Sequence, residues 1–99
     1  MNRDLPPAML AGVAPTLGAT LLAHEPIGRA ATVLRVSAPP HAPEWAERLA
    51  DLGFVAGERV MVTARGRPGD DPLAVRVGTS TFALRRAEAA CIHVVADPA

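Results

Sequence analysis

The stretch Trp45-Ala-Glu-Arg-Leu49-Ala-Asp-Leu52-Gly53-Phe54-Val55-Ala-Gly57 decides how the rest of the chain is arranged. Trp45, Leu49 and Leu52 fall at i, i+4 and i+7, which places three large apolar side chains on one face of a helix. Glu44, Glu47, Arg48 and Asp51 take the opposite, solvated face. Pro43 suits the first helical position, where its missing amide costs nothing. The acidic Glu44 and Glu47 then lie near the positive end of the helix dipole. Gly53 ends the helix, because glycine enters the left-handed cap without a Cβ clash. Phe54 is placed to fold back on Leu49, the apolar contact of a Schellman cap. Gly57 turns the chain again, straight into an expected strand at Val60–Thr63. This stretch is a helical cap that aims the sheet behind it.

Outward from the cap, the pattern is short strands. Thr20–Ala23 reads as a short edge segment and Pro26-Ile27-Gly28 as a turn. Arg29–Val36 is rich in β-branched residues, with Ala31 and Val33 on one face and Thr32, Leu34 and Val36 on the other. Apolar side chains on both faces predict a barrel strand or one bent by a bulge. Ser37–Pro43 holds three prolines and cannot continue a ladder. After the helix, Val60, Val62 and Ala64 alternate with Met61, Thr63 and Arg65. Gly66–Pro72 is a polar loop with strong turn chemistry, and Leu73, Val75 and Val77 supply the partner strand. Gly78-Thr79-Ser80 turns into Thr81–Leu84, a second hairpin. Arg85–Ala90 suits one helical turn, and Ile92, Val94 and Ala96 a last strand. Five short strands, tight turns and one short α-helix predict a mainly β protein, a small SH3-like barrel capped by that helix. Closure answers the edge-strand problem in so small a sheet.

The 99 residues suffice for one domain with a small core. Apolar residues make up 49% of them, which excludes a disordered chain. With two Phe, one Trp and no Tyr, the core must come from Val, Leu, Ile and Ala. Ten basic and ten acidic side chains cancel, so nothing points to nucleic acid as a partner. A single cysteine, Cys91, excludes an intramolecular disulfide. No apolar run approaches a bilayer's thickness, so contact with a membrane is expected to be peripheral at most. Pro7 and Pro15 interrupt the weakly apolar start, which argues against a secretory leader and for a cytoplasmic protein. Residues 1–19 are expected to be a mobile tail, and residues 20–97 the barrel domain.

Three segments carry a family resemblance. Arg48-Leu-Ala-Asp51-Leu52-Gly53-Phe54-Val-Ala-Gly57 comes first, followed by a hairpin containing Gly69-Asp-Asp-Pro72. Ala83-Leu84-Arg85-Arg86-Ala-Glu-Ala89 and a closing Ile92–Val95 complete the set. In this order and spacing the chain, from about Leu21 to Val95, resembles the FeoA family. These are small cytosolic SH3-like proteins that accompany the bacterial ferrous-iron permease FeoB. The chain departs from the family at His24-Glu25-Pro26-Ile27-Gly28, where a leucine and a Pro-Gly turn are usual, and in carrying two aspartates at Asp70-Asp71. Its first twenty residues have no counterpart in the short family members.

A chain of this resemblance invites a search for metal ligands. His24, His41, His93, Cys91, Asp70 and Asp71 are the candidates. Cys91 and His93 are two apart, so on a strand both would point to one face. They would supply half of a zinc site, which wants four ligands, and no other spacing matches. A packed thiol and a surface imidazole is the preferred reading, with no metal or other cofactor. Asp70-Asp71 between Gly69 and Pro72 is turn chemistry. Ser37 and Ser80 lie in no nucleophile-elbow pattern, and Gly66-Arg-Pro-Gly69 lacks the lysine and helix of a phosphate loop. Arg85-Arg86 is read as a solvated pair that meets Glu88. The chain is not expected to be an enzyme.

Recognition remains. Leu52, Gly53, Phe54 and Gly57, with Leu84, Arg85 and Arg86, form the candidate partner-binding surface. Its apolar rim would hold Leu52, Phe54 and Leu84, each of which also fits a plain core position. The resemblance implies an accessory protein of ferrous-iron uptake that docks on the permease, on its GTP-binding domain or membrane portion, with weak self-association as an option. The alternatives are an SH3-like regulatory module akin to the C-terminal domain of iron-dependent repressors, or a small transition-metal binder using Cys91 and His93.

Overall fold

A computed structural model describes residues 18–97, and the expected tail lies almost wholly outside them. The strands are β1 (Ala19–Leu21), β2 (Ala30–Val36), β3 (Arg59–Arg65), β4 (Leu73–Val77), β5 (Ser80–Leu84) and β6 (Ile92–Ala96). The helices are α1 (Glu44–Leu52) and α2 (Arg86–Ala89), and a 3-10 turn covers Leu22–His24. All six strands form one sheet in the order β1-β6-β2-β3-β4-β5, with every pairing antiparallel. The sixth strand is the edge segment near Thr20, which ends one residue pair sooner than expected because Leu22 and Ala23 coil inward and are buried.

Two irregularities let this ladder curl. The register shifts between Val33 and Arg35 where β2 pairs β6, and between Val62 and Ala64 where β3 pairs β4. An extra residue on one strand sharpens its bend, which resolves why β2 is apolar on both sides around Leu34. Arg65, at the end of β3, donates to the backbone carbonyls of Ala23 at 3.0 Å and Glu25 at 2.5 Å, tying the curled sheet to the 3-10 turn.

The core follows the alternation. Val60 and Val62 on β3, Leu73, Val75 and Val77 on β4, and Val94 on β6 point inward, and Arg76 between them is exposed. Leu49 of α1 and Phe54 behind it seal one end with no exposed surface. Burying a Leu or a Phe this completely contributes about 2 kcal/mol each. Phe54 stacks at a tilt on Phe82, centroids 6.3 Å apart. The helix ends as its sequence requires. Gly53 is left-handed at φ 114°, its amide donates to the Ala50 carbonyl, and the Phe54 amide to that of Leu49, each at 3.0 Å. At the other end Pro43 is helical in φ and ψ but stands one residue outside the helix, as its cap.

Candidate docking surface

The loop from Gly53 to Gly57 is held by backbone bonds on both sides. The Gly57 amide donates to the Val33 carbonyl at 2.8 Å and the Val33 amide to that of Glu58 at 2.9 Å. Gly57 is left-handed at φ 93°, a geometry that lets the chain turn into β3 two residues later. The loop is therefore clamped to β2 beside its bulge. Of the residues expected to meet a partner, Phe54 has no exposed surface, and Leu52 and Gly53 are half-buried. The exposed apolar side chain is Val55, 43% accessible. Sequence reading passed over it, although the signal was present: with Phe54 turned inward by the cap, its neighbour must turn outward.

The second stretch is Leu84–Arg86. Leu84 is buried at the end of β5, and Arg85 and Arg86 are exposed. Both amides at the start of α2 find carboxylates. The Arg85 amide donates to Glu88 Oε1 at 2.8 Å, and the Arg86 amide to Asp71 Oδ1 at 3.0 Å. Such acceptors satisfy amides that the first helical turn leaves without partners. Asp71 thus ties the β3–β4 loop to α2, and Gly69 and Asp70 are both left-handed, φ 74° and 60°. These aspartates do structural work. Glu88 meets Arg48 of α1 in an ion pair, whereas the expected partner was the Arg85-Arg86 pair.

The first stretch meets the sheet through Gly53 beside Val77 of β4 and Phe54 against Phe82 of β5, and the second follows the C-terminal end of β5. Helix α1 links the two. Its C-terminal Gly53 abuts Val77, and Arg48 reaches Glu88. Trp45, near its start, shares an apolar groove of about 340 Å³ with Pro39, His41, Ala87, Ala90 and Cys91. Trp45 is half-buried, edge-on to His41 with centroids 6.3 Å apart, so the first residue of the apolar stripe serves the groove as much as the core. The surface that results is a strip: Val55 and Gly57, the exposed side of α1, then Arg85 and Arg86.

The Cys91–His93 pairing does not form. Cys91 lies in the turn that ends α2, one residue before β6, so strand alternation does not govern it. Its Sγ donates to the Ala87 carbonyl at 3.5 Å and it is 6% exposed, facing the α1–α2 groove. Burial pushes its thiol pKa up. His93 lines a different depression, with His24 and Arg35. Its pKa is lowered, first by burial and then by the charge of Arg35. Among the described residues no group of three or more His, Cys, Asp or Glu side chains could hold a metal ion. None of their helices is long and apolar enough to cross a membrane.

A curled antiparallel sheet with a helix laid over one end defines a small SH3-like module. The FeoA domain model matches residues 20–96, and the chain belongs to the FeoA family, small accessory proteins of ferrous iron transport. The chain is 40% identical to FeoA of Stenotrophomonas maltophilia, solved in complex with zinc, with a TM-score of 0.68 over 79% of this chain and 89% of that one. It is 34% identical to FeoA of Chlorobium tepidum, TM-score 0.65, over 78% and 70% of the two chains. A manganese-dependent transcriptional repressor in complex with manganese matches at 28% identity and a TM-score of 0.70, over 83% of this chain and 38% of that one. No curated protein matches the chain.

Proposed function

We propose that this protein is a cytoplasmic accessory protein that regulates ferrous-iron uptake by docking on a FeoB-type permease. Family membership supports the process, and the clamped loop at Gly53–Gly57 is the observation that carries the mode of action. A surface already fixed by the Val33 hydrogen bonds loses little conformational entropy when a partner covers it. Val55 offers an apolar contact at one end and Arg85 and Arg86 offer charge at the other. Regulation requires that the protein bind two states of the permease unequally. The test is an NMR titration of labelled protein with the permease's soluble GTP-binding domain, first with GDP and then with a non-hydrolysable GTP analogue. Nucleotide-dependent shifts at Gly53–Gly57 and Leu84–Arg86 are the expected result. No shifts at near-millimolar concentration would reject that domain as the docking site.

The likeness to the manganese-dependent repressor favours a second reading, a regulatory module that works with a DNA-binding unit. The described residues hold one nine-residue and one four-residue helix with strands between them, so any DNA-reading element would come from elsewhere. Co-purification with membranes, against co-purification with a repressor, separates the two.

A further inference from the structure

We propose that the depression enclosed by β1, the 3-10 turn, β2 and β6 is a binding site for a phosphate-class dianion, held by His24, Arg35 and His93. The open cavity measures about 390 Å³ and is lined by these three with Ala19, Thr20 and Leu21. Strand register brings the groups together. His93 on β6 lies directly across from Arg35 on β2 and, on its other side, from Leu21 on β1, the residue before the turn that carries His24. Directly opposed residues share a sheet face.

Charge decides the class of ligand. Every ionisable side chain that lines the cavity is a base, and none is acidic. The acidic residue next to His24, Glu25, is 1% exposed and lies 3.5 Å from Arg29. Strand β1 contributes no charge, β2 contributes Arg35, and β6 contributes His93. A divalent cation would find two imidazoles, no third His, Cys, Asp or Glu side chain among the described residues, and a guanidinium that repels it. An oxyanion would find a planar fork of donors and two imidazoles that each gain a donor on protonation. The repulsion between Arg35 and a protonated His93 is relieved by a dianion between them. The site shares no residue with the docking strip and does not depend on that assignment.

Inorganic sulfate is the first probe, because it stays a dianion at every pH used and so reports only the protein's own titration. In an NMR titration of the full chain at constant ionic strength and pH 5.0, the amides of His24, Arg35 and His93 should shift saturably. A dissociation constant on the order of 1 mM suits so small a ligand. At pH 8.0 binding should weaken about tenfold or more as the His93 imidazole loses its charge. Arg35→Gln, at an exposed position, should abolish saturation and leave the melting temperature unmoved at pH 8.0, where His93 is neutral. Inorganic phosphate should compete with sulfate. Vesicles of phosphatidylglycerol, compared with phosphatidylcholine, identify the source: Arg35-dependent binding that phosphate displaces assigns a lipid headgroup, and binding of the free ion alone assigns a soluble phosphate compound. The site is rejected if no shift saturates below about 50 mM sulfate, if Arg35→Gln binds equally well, or if zinc alone perturbs His24 and His93.

Discussion

Arg48 of α1 forms an ion pair with Glu88 of α2, and the same carboxylate accepts the Arg85 amide at 2.8 Å. Glu88 is 6% exposed and Arg48 is half in water. One oxygen of Glu88 therefore closes the first turn of α2, and the other fastens that turn to the cap helix. The turn that carries Arg85 and Arg86 is thereby fixed to the cap helix.

Glu88→Ala removes both functions and leaves a part-buried amide without its acceptor, at a cost of about 1–2 kcal/mol. Glu88→Gln keeps an acceptor for Arg85 and loses only the charge. Arg48→Ala leaves the carboxylate with its amide partner and access to solvent, at about 1 kcal/mol. The melting temperature should fall in the order Glu88→Ala, then the other two, by about 4–8 °C per kcal/mol in a domain of this size. Equal stability of Glu88→Ala and the parent in a thermal scan would show the pair to be incidental.

The cap glycines separate backbone strain from crowding. A Cβ on Gly53 would stand 3.5 Å from Val77 Cγ2, an ordinary contact, and one on Gly57 would meet nothing within 4 Å. Both residues are left-handed, φ 114° and 93°. Gly53→Ala and Gly57→Ala should thus each cost about 1–2 kcal/mol from the backbone alone. Urea midpoints measure this, and a much larger loss at Gly53 would mean that the Val77 contact is tighter than it stands here.

How far the sequence revealed this molecule depends on the range of the interaction. The cap, the β4 alternation and the turn at Gly78 rest on neighbours within a few residues, and each was legible. The bulge in β2 was half legible, because apolar residues on both faces demanded either a barrel or a bend. Arg48–Glu88 and Asp71–Arg86 join segments far apart in the chain, and no local pattern encodes them. The two-residue spacing of Cys91 and His93 places them on one face only inside a strand, and β6 begins between them. Phe54 and Leu84 are buried, the core assignment that the sequence already favoured for each taken singly, and for Phe54 the cap contact with Leu49 was the local signal.

Two titrations should be visible in stability. Burial raises the Cys91 pKa, so the unfolded chain ionises this thiol first. Its contribution is constant below the ordinary thiol range and is lost as pH rises through it. The same burial should slow the reaction of Cys91 with a thiol reagent at pH 8 to under about a tenth of the unfolded rate. His93 acts at the other end of the scale. Its pKa is lowered, so the unfolded chain takes up the proton first, and the contribution present above about pH 6.5 is lost as pH falls below it. Arg35→Gln should recover part of the shift, the smaller part, since burial is its larger cause. NMR titration of the imidazole reads this directly, and an unchanged His93 pKa would remove Arg35 as a neighbour that matters.

The docking strip makes a prediction that stability cannot imitate. Arg85 and Arg86 are exposed, and α2 uses only their backbone amides. Arg85→Glu with Arg86→Glu should leave the fold intact, shifting stability by no more than about 0.5 kcal/mol. Val55→Asp, at an exposed loop position, should be similarly mild. Against the permease's GTP-binding domain, each change should weaken binding at least about tenfold, since a reversed charge or a solvated carboxylate must then be buried at the contact. Salt distinguishes the two ends of the strip. Binding by the parent should weaken between about 50 mM and 500 mM salt through the arginines, and the double arginine variant should lose that dependence. Val55→Asp should keep it. Calorimetry over the salt series checks this, and undiminished affinity in both variants would move the docking surface off the strip to another face of the sheet.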